Sequence, residues 1–148
     1  MRRTKRLLAL GLMAAALGLA ALPAAAEESA IRVFNGRIEL PIGSEPPSAY
    51  FVLRNTGATA RTIVGASCDC AERVSIRLTA IDEDGQWSSE AMPGGMPVPA
   101  KGDVAFAPRG LFLRLLSART LTEGEKVEIV LEFKDGEKVP FDAIVAEG

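Results

Sequence analysis

The chain contains no histidine among its 148 residues. That absence excludes Ser-His-Asp and Cys-His catalysis and removes the commonest metal-binding side chain. Cysteine is nearly absent too: Cys68 and Cys70, in "GASCDCAERVSIRLT", are the only pair. No basic, aromatic-rich stretch occurs, so nucleic acid is not an expected partner. "PGGMP" lacks the lysine and following helix of a phosphate-binding loop. Asp82, Glu83 and Asp84 cluster in a turn and read as solvated, not as a catalytic carboxylate pair. The expectation is a protein that is not an enzyme.

The N-terminus carries the one long apolar run. "MRRTKRLLALGLMAAALGLAALPAAA" starts basic, continues apolar from Leu7 to Leu22, breaks at Pro23 and ends in small residues. This is the layout of a secretory signal peptide, with cleavage expected after Ala26. The run is short for a membrane span, which needs about 20 apolar residues. Arg2-Arg3 alone makes a poor twin-arginine signal, and no cysteine stands at the cleavage point to take a lipid. The expected product is residues 27–148, periplasmic or secreted and free of the membrane. The whole chain has 17 basic and 19 acidic residues, a formal charge of −2. Without the four basic residues of the leader, 13 stand against 19, giving −6.

Residues 27–148 suit one domain with a core that needs no disulfide staples. Short alternating runs recur: "IRVFNGRIEL", "AYFVLRNTG", "RTIVGAS", "ERVSIRLTAI", "QWSSEAM", "DVAFAP", "LFLRLL", "KVEIVLEF" and "KVPFDAIV". Asp84-Gly85 and Asp135-Gly136 mark turns between neighbouring runs. Such spacing predicts seven to nine strands in an all-β antiparallel sandwich or barrel. Tyr50, Val52, Ile76, Leu113 and Ile129 are expected near its packing layers. "AMPGGMPVPAKG" reads as a loop, and a short helical turn is expected around Ser117 to Leu121.

The order of these features resembles the periplasmic copper chaperones of the PCu(A)C type, from about Ile31 to Val145. The pieces that carry the resemblance are the Ala-Tyr strand ending in Asn-Thr-Gly, the Pro-Ala-Lys-Gly turn, Pro108-x-Gly110 and Leu121-x-x-Gly124. The resemblance implies a cupredoxin-like Greek-key β-barrel. It also implies a Cu(I) site of two histidines and two methionines that serves cytochrome oxidase assembly factors or another copper protein.

Those ligands do not carry over. The first histidine falls on Arg77, the first methionine near Ser88 or Ser89, with Met92 as the alternative, and the final His-x-Met on Phe112 and Arg114. Two guanidinium groups thus occupy the place of a cation, where Coulomb repulsion disfavours a metal. Two readings stand: the arginines pair with surface carboxylates, or they hold an anion or an acidic partner. Phe112 reads as packing.

The cysteines leave three readings. One is a disulfide, favoured in an oxidising compartment, whose short ring adds little stability; replacing both by serine is then expected to change stability little. The second is a soft-metal site in which Cys68 and Cys70 bind Cu(I) with Met92 and Met96 as thioether donors on a Pro/Gly loop. The two methionines read equally as loop packing. The third is thiol–disulfide exchange, for which no group that would lower a thiol pKa is visible. Asp69 and Glu72 oppose thiolate formation yet would attract a cation. Function divides accordingly between a copper chaperone-like protein with a relocated Cys/Met site and a metal-free binding or scaffold module using the Arg77/Arg114 face.

Overall fold

The computed structural model describes Gly18 and residues 29–148. Apart from Gly18, the expected leader lies outside these residues. Ten strands form among the described residues. The first five are β1 (Ile31–Leu40), β2 (Ser48–Asn55), β3 (Arg61–Cys68), β4 (Ala71–Ile81) and β5 (Trp87–Ala91). The others are β6 (Met96–Val98), β7 (Asp103–Phe106), β8 (Leu111–Ala118), β9 (Lys126–Phe133) and β10 (Lys138–Glu147). They run in the order β5-β4-β8-β7-β2-β1-β10-β9-β3-β6, and β3 also pairs with β4. That extra pairing closes eight strands into a barrel and leaves β5 and β6 as outer flaps. The neighbours are antiparallel except β1 with β10 and β7 with β8.

The barrel interior takes one face of each strand, as period-2 alternation requires. Strand β2 turns Ala49, Phe51 and Leu53 inward, and β9 turns Val127, Ile129, Leu131 and Phe133 inward. Phe51 stacks on Phe106 at 4.3 Å and tilts against Phe141 at 4.7 Å. Contacts of this kind add about 0.5–1.5 kcal/mol each beyond area burial. Ile76, Leu113 and Ile129 lie in this core as expected. Tyr50 and Val52 do not. They alternate with the core residues of β2, so Tyr50 is buried on the outer face and Val52 only half-buried.

Strand β1 serves two neighbours, and its register with β2 shifts between Phe34 and Arg37. Asn35 there has φ 56°, and a Cβ on Gly36 would stand 2.4 Å from the carbonyl oxygen of Asp142. Only glycine lets β1 and β10 approach so closely at the bulge.

The stretch read as a loop contains β6, which pairs with Ile63 through Met96. Gly95, at φ 82°, lies against the carbonyl of Ile63, where a Cβ would come within 2.5 Å. The Pro/Gly signal marked a turn correctly but concealed the three-residue strand after it. No helical turn forms around Ser117 to Leu121. Strand β8 runs on to Ala118, and a segment without regular secondary structure follows before the turn at Thr122–Glu125.

Asn55, in the Asn-Thr-Gly end of β2, is the one fully buried polar side chain among the described residues. Its amide donates to the carbonyls of Thr59 (2.9 Å) and Val98 (3.4 Å), and its Oδ1 accepts from the N–H of Gly57 (3.0 Å). A single side chain therefore satisfies backbone groups of the β2–β3 loop and of the β6 end. This corner meets the Pro99–Gly102 turn, whose Gly102 carbonyl accepts from Asn55 N–H.

Candidate functional site

The register of β2, β8, β4 and β5 gathers one set of outward-facing residues. Across β4 and β8, Arg77 stands opposite Phe112 and Ser75 opposite Arg114. Across β2 and β8, Ser48 stands opposite Arg114. Across β4 and β5, Thr79 stands opposite Ser89. Directly opposed residues share a face of the sheet, so Arg77, Ser89, Phe112 and Arg114 lie together on the outer face of the barrel. Their sequence positions are up to 37 apart; only the strand order makes them neighbours.

Arg77 is held to β5: its Nε donates to Ser89 Oγ at 2.7 Å, and Nη2 to the Ser89 carbonyl at 2.6 Å. The Arg114 guanidinium lies 5.3 Å over the Phe112 ring, and its Nε is buried without a hydrogen-bond partner. Among the described residues neither arginine forms an ion pair, so the surface-carboxylate reading finds no partner here.

Beside them opens a pocket of about 400 Å³, with Glu45, Tyr50, Trp87, Arg109, Phe112 and Arg114 in its lining. Hydroxyls of Ser48, Thr79 and Ser89 complete its polar side. Tyr50 and Phe112 are both buried yet stand outside the interior core cluster; they form the floor of this outer face. Arg109 comes from the Pro108-x-Gly110 turn, with its guanidinium 5.6 Å over the Trp87 ring. The turn is fastened to β4, since Thr79 donates to the Gly110 carbonyl through both its N–H (3.0 Å) and its hydroxyl (3.0 Å). Arg109 itself has φ 65°, a conformation that costs a non-glycine residue stability.

Sequence reasoning missed Tyr50, Trp87 and Arg109 as site residues. The signal for Arg109 was its place in Pro-x-Gly; for Trp87, the only tryptophan of the chain, it was its place just after the Asp84-Gly85 turn.

The sulfur-bearing residues sit elsewhere. Cys68 and Cys70 are joined by a disulfide at the β3–β4 turn, with Cα atoms 5.0 Å apart. They are 9% and 2% exposed and belong to the interior core. Met96 pairs with Ile63, five residues before Cys68 on β3, a distance of about 16 Å at ~3.3 Å per residue. Met92 donates its N–H to the carbonyl of Ile76, six residues beyond Cys70, about 20 Å along the chain by the same rise. In this oxidised form the four sulfurs do not converge on one ion. Both methionines pack against the core, and Met96 does so from a strand. Among the described residues no group of three or more Cys, Asp or Glu side chains is placed to hold a metal ion.

Solved structures share this architecture. The copper-bound PCuAC domain from PmoF2 superposes with a TM-score of 0.67 at 17% identity, over 81% of this chain and 95% of that one. The apo PCuAC domain from PmoF1 gives 0.66 at 22%, over 82% and 98%. The Cu(I) form of DR1885 from Deinococcus radiodurans gives 0.60 at 24%, over 87% and 82%. The barrel is therefore of the PCuAC, cupredoxin-like kind. In sequence, "Putative lipoprotein Lxx21020" from Leifsonia xyli subsp. xyli (strain CTCB07) is 28% identical over 99 residues, 66% of this chain and 59% of that protein's length. The family described as "Putative lipoprotein LpqE-like" matches residues 31–145. That span runs from the first strand to the last and takes in the whole barrel with its arginine-bearing face: the chain belongs to the LpqE-like family.

Proposed function

We propose that this protein is an extracytoplasmic binding module of the copper-chaperone fold, in which an anion-binding pocket has replaced the copper lip. Residues 1–26 act as its export signal, and residues 27–148 are the exported domain. The observation that carries the reading is the gathering of Arg77, Phe112 and Arg114 on one outer face with no ion pair to either arginine among the described residues. Two guanidinium groups raise the local potential against a cation; Arg77 spends its Nε and Nη2 on Ser89, while Arg114 lines the pocket with donors that fit an oxyanion. By the family resemblance, both histidine positions and the final methionine position fall on Arg77, Phe112 and Arg114, none of them a copper donor, and the first methionine position falls near Ser88 or Ser89 or on Met92.

The test is an anaerobic Cu(I) titration of the oxidised protein against a competing chelator. The parent should not compete. The variant Arg77→His/Ser89→Met/Phe112→His/Arg114→Met should gain 1:1 binding on the same frame. Tight binding by the oxidised parent that disappears in Arg114→Met would overturn the reading.

A second reading rests on the cysteine pair and on copper-bound relatives of the fold. Reduction would free two thiolates two residues apart, and such a pair suits Cu(I). The protein would then carry copper as cargo to an oxidase assembly factor or another copper protein. Burial of both cysteines argues for slow access to that site, and equally for slow thiol–disulfide exchange. Cu(I) uptake by the reduced parent but not by Cys68→Ser/Cys70→Ser would support this second reading.

A further inference from the structure

We propose that the Arg109/Arg114 pocket takes a small monocarboxylate with a short apolar body, an assignment that rests on the anion-binding reading above. Each of these guanidinium groups lies over an aromatic ring, Arg109 over Trp87 and Arg114 over Phe112. Stacking occupies the flat face of a guanidinium and leaves its N–H edges available for a planar, two-oxygen acceptor. Neither group spends those edges on a carboxylate of the protein. The pocket between them, about 400 Å³, also carries Tyr50 and Trp87 as apolar walls and Ser48 as a hydroxyl. A carboxylate seated on the arginines would lay its apolar portion along the rings.

Glu45 in the same lining selects the class of anion. With Arg109 and Arg114 it leaves the pocket a net charge of about +1, which one monoanion neutralises, whereas a phosphate monoester, at about −1.5 to −2 at neutral pH, would leave uncompensated negative charge beside Glu45. Arg109 is held in a left-handed backbone conformation, as Asn35, Lys101 and Ser117 are elsewhere. Glycine at that position would relieve the conformation, so an arginine held there is a strained placement of the kind found at binding sites.

Trp87 is the only tryptophan of the chain, so its fluorescence reports this pocket alone. The full-length protein is titrated at constant ionic strength with hexanoate, hexyl phosphate and hexylammonium. Hexanoate should shift the emission saturably, with Kd in the millimolar range expected of so few ligand atoms. Hexyl phosphate should bind at least about fivefold more weakly, because its second charge is left uncompensated beside Glu45, and hexylammonium should give no saturable shift, because its charge has the sign of the arginines. Arg109→Gln, at an exposed turn position, should weaken hexanoate by about tenfold, the loss of one charged donor pair. Arg114→Gln should do likewise. Glu45→Gln should narrow the gap between hexanoate and hexyl phosphate.

Hexyl phosphate binding as well as or better than hexanoate would overturn the carboxylate assignment and leave the anion-binding reading standing. Equal shifts with all three probes, unchanged in both arginine variants, would overturn both. So would the absence of any saturable shift.

Discussion

Two arginine-bearing regions of this barrel, the corner around Arg61 and the lip around Arg114, use the same side chain and differ in how its charge is met. At the corner, Arg61 opens β3 and reaches the β9–β10 hairpin, where it pairs with Asp135 at 2.8 Å and with Glu137. Its guanidinium also lies 5.0 Å over Phe133, and its side chain is 15% exposed. The hydrogen bond to Glu137 raises the Arg61 pKa further above its ordinary range. Glu137 is held below its ordinary value by a hydrogen bond from Ser29 and then by Arg61. Asp135 is held low first by the backbone N–H of Glu137. At the lip, Arg77 finds only serine oxygens and Arg114 an aromatic ring. A cation with two carboxylates is part of the frame; a cation with none has capacity left for something else. Residue type does not separate the two roles, but the partner list does.

The largest effect that would sharpen this contrast lies at the corner. Asn55 is adjacent to Arg61 through Thr59 and Val98, and all its hydrogen bonds are to backbone. Asn55→Ala leaves buried donors and acceptors without partners, and should lower stability by about 3 kcal/mol in urea unfolding. The β3–β4 turn belongs with the corner. Burial of Cys68 and Cys70 changes the expectation drawn from ring size alone, because Cys68→Ser/Cys70→Ser places two hydroxyls in the core. A loss of about 2 kcal/mol is expected, and Cys68→Ala/Cys70→Ala should cost less.

Arg61→Met should cost about 1.5 kcal/mol, since it leaves Asp135 and Glu137 facing each other without a cation. It should also change the acid response. Glu137 and Asp135 have folded pKa values below their ordinary 4.5 and 3.8. Their contribution to stability is therefore full above the unfolded values and is lost as pH falls through the folded ones. Asp103 beside Arg54 and Glu125 beside Arg119 behave in the same sense. The melting temperature of the parent should fall between about pH 5 and pH 3. Arg61→Met should fall less steeply over that window, while Arg114→Met should keep the parent slope. An Arg114→Met slope as shallow as that of Arg61→Met would break the comparison.

The smallest effect is at the lip itself. Arg77→Ala should stay within about 0.5 kcal/mol of the parent, as surface substitutions without paired charge do. Arg109→Gly should raise stability by up to about 0.5 kcal/mol by relieving the left-handed backbone. A clear loss in Arg109→Gly would show that its stacking on Trp87 serves the frame.

The corner was partly legible in sequence and the lip only half so. Asn-Thr-Gly closes the second run visibly, yet nothing local says that Asn55 is buried or that it ties the β2–β3 loop to the end of β6. Its acceptors, Thr59 and Val98, are 4 and 43 residues away. At the lip, the family resemblance implied residues other than the usual ligands at four positions, with arginine at two of them. The pocket was not. Tyr50 alternates with Phe51 in a run that is apolar on both faces, so periodicity alone assigned it to the wrong layer. Trp87 opens β5 and Arg109 lies in the turn before β8, and neither segment shows that the other faces it.

The sequence by itself determined the all-β character of the domain, most of its strands, the Asp-Gly turns and the absence of histidine chemistry. These follow from local alternation, backbone preferences of glycine and proline, and composition, which act over a few residues. Tertiary structure alone decided which face of β2 looks inward, that "MPV" is a strand, and that Cys68 and Cys70 are buried while both methionines lie far along the strands. It also decided that Arg109 and Arg114 share one pocket. Those outcomes depend on strand order and register: β4, β8 and β2 are separated in sequence and become neighbours only by pairing in the sheet, and a one-residue change of register would turn every one of these side chains to the other face.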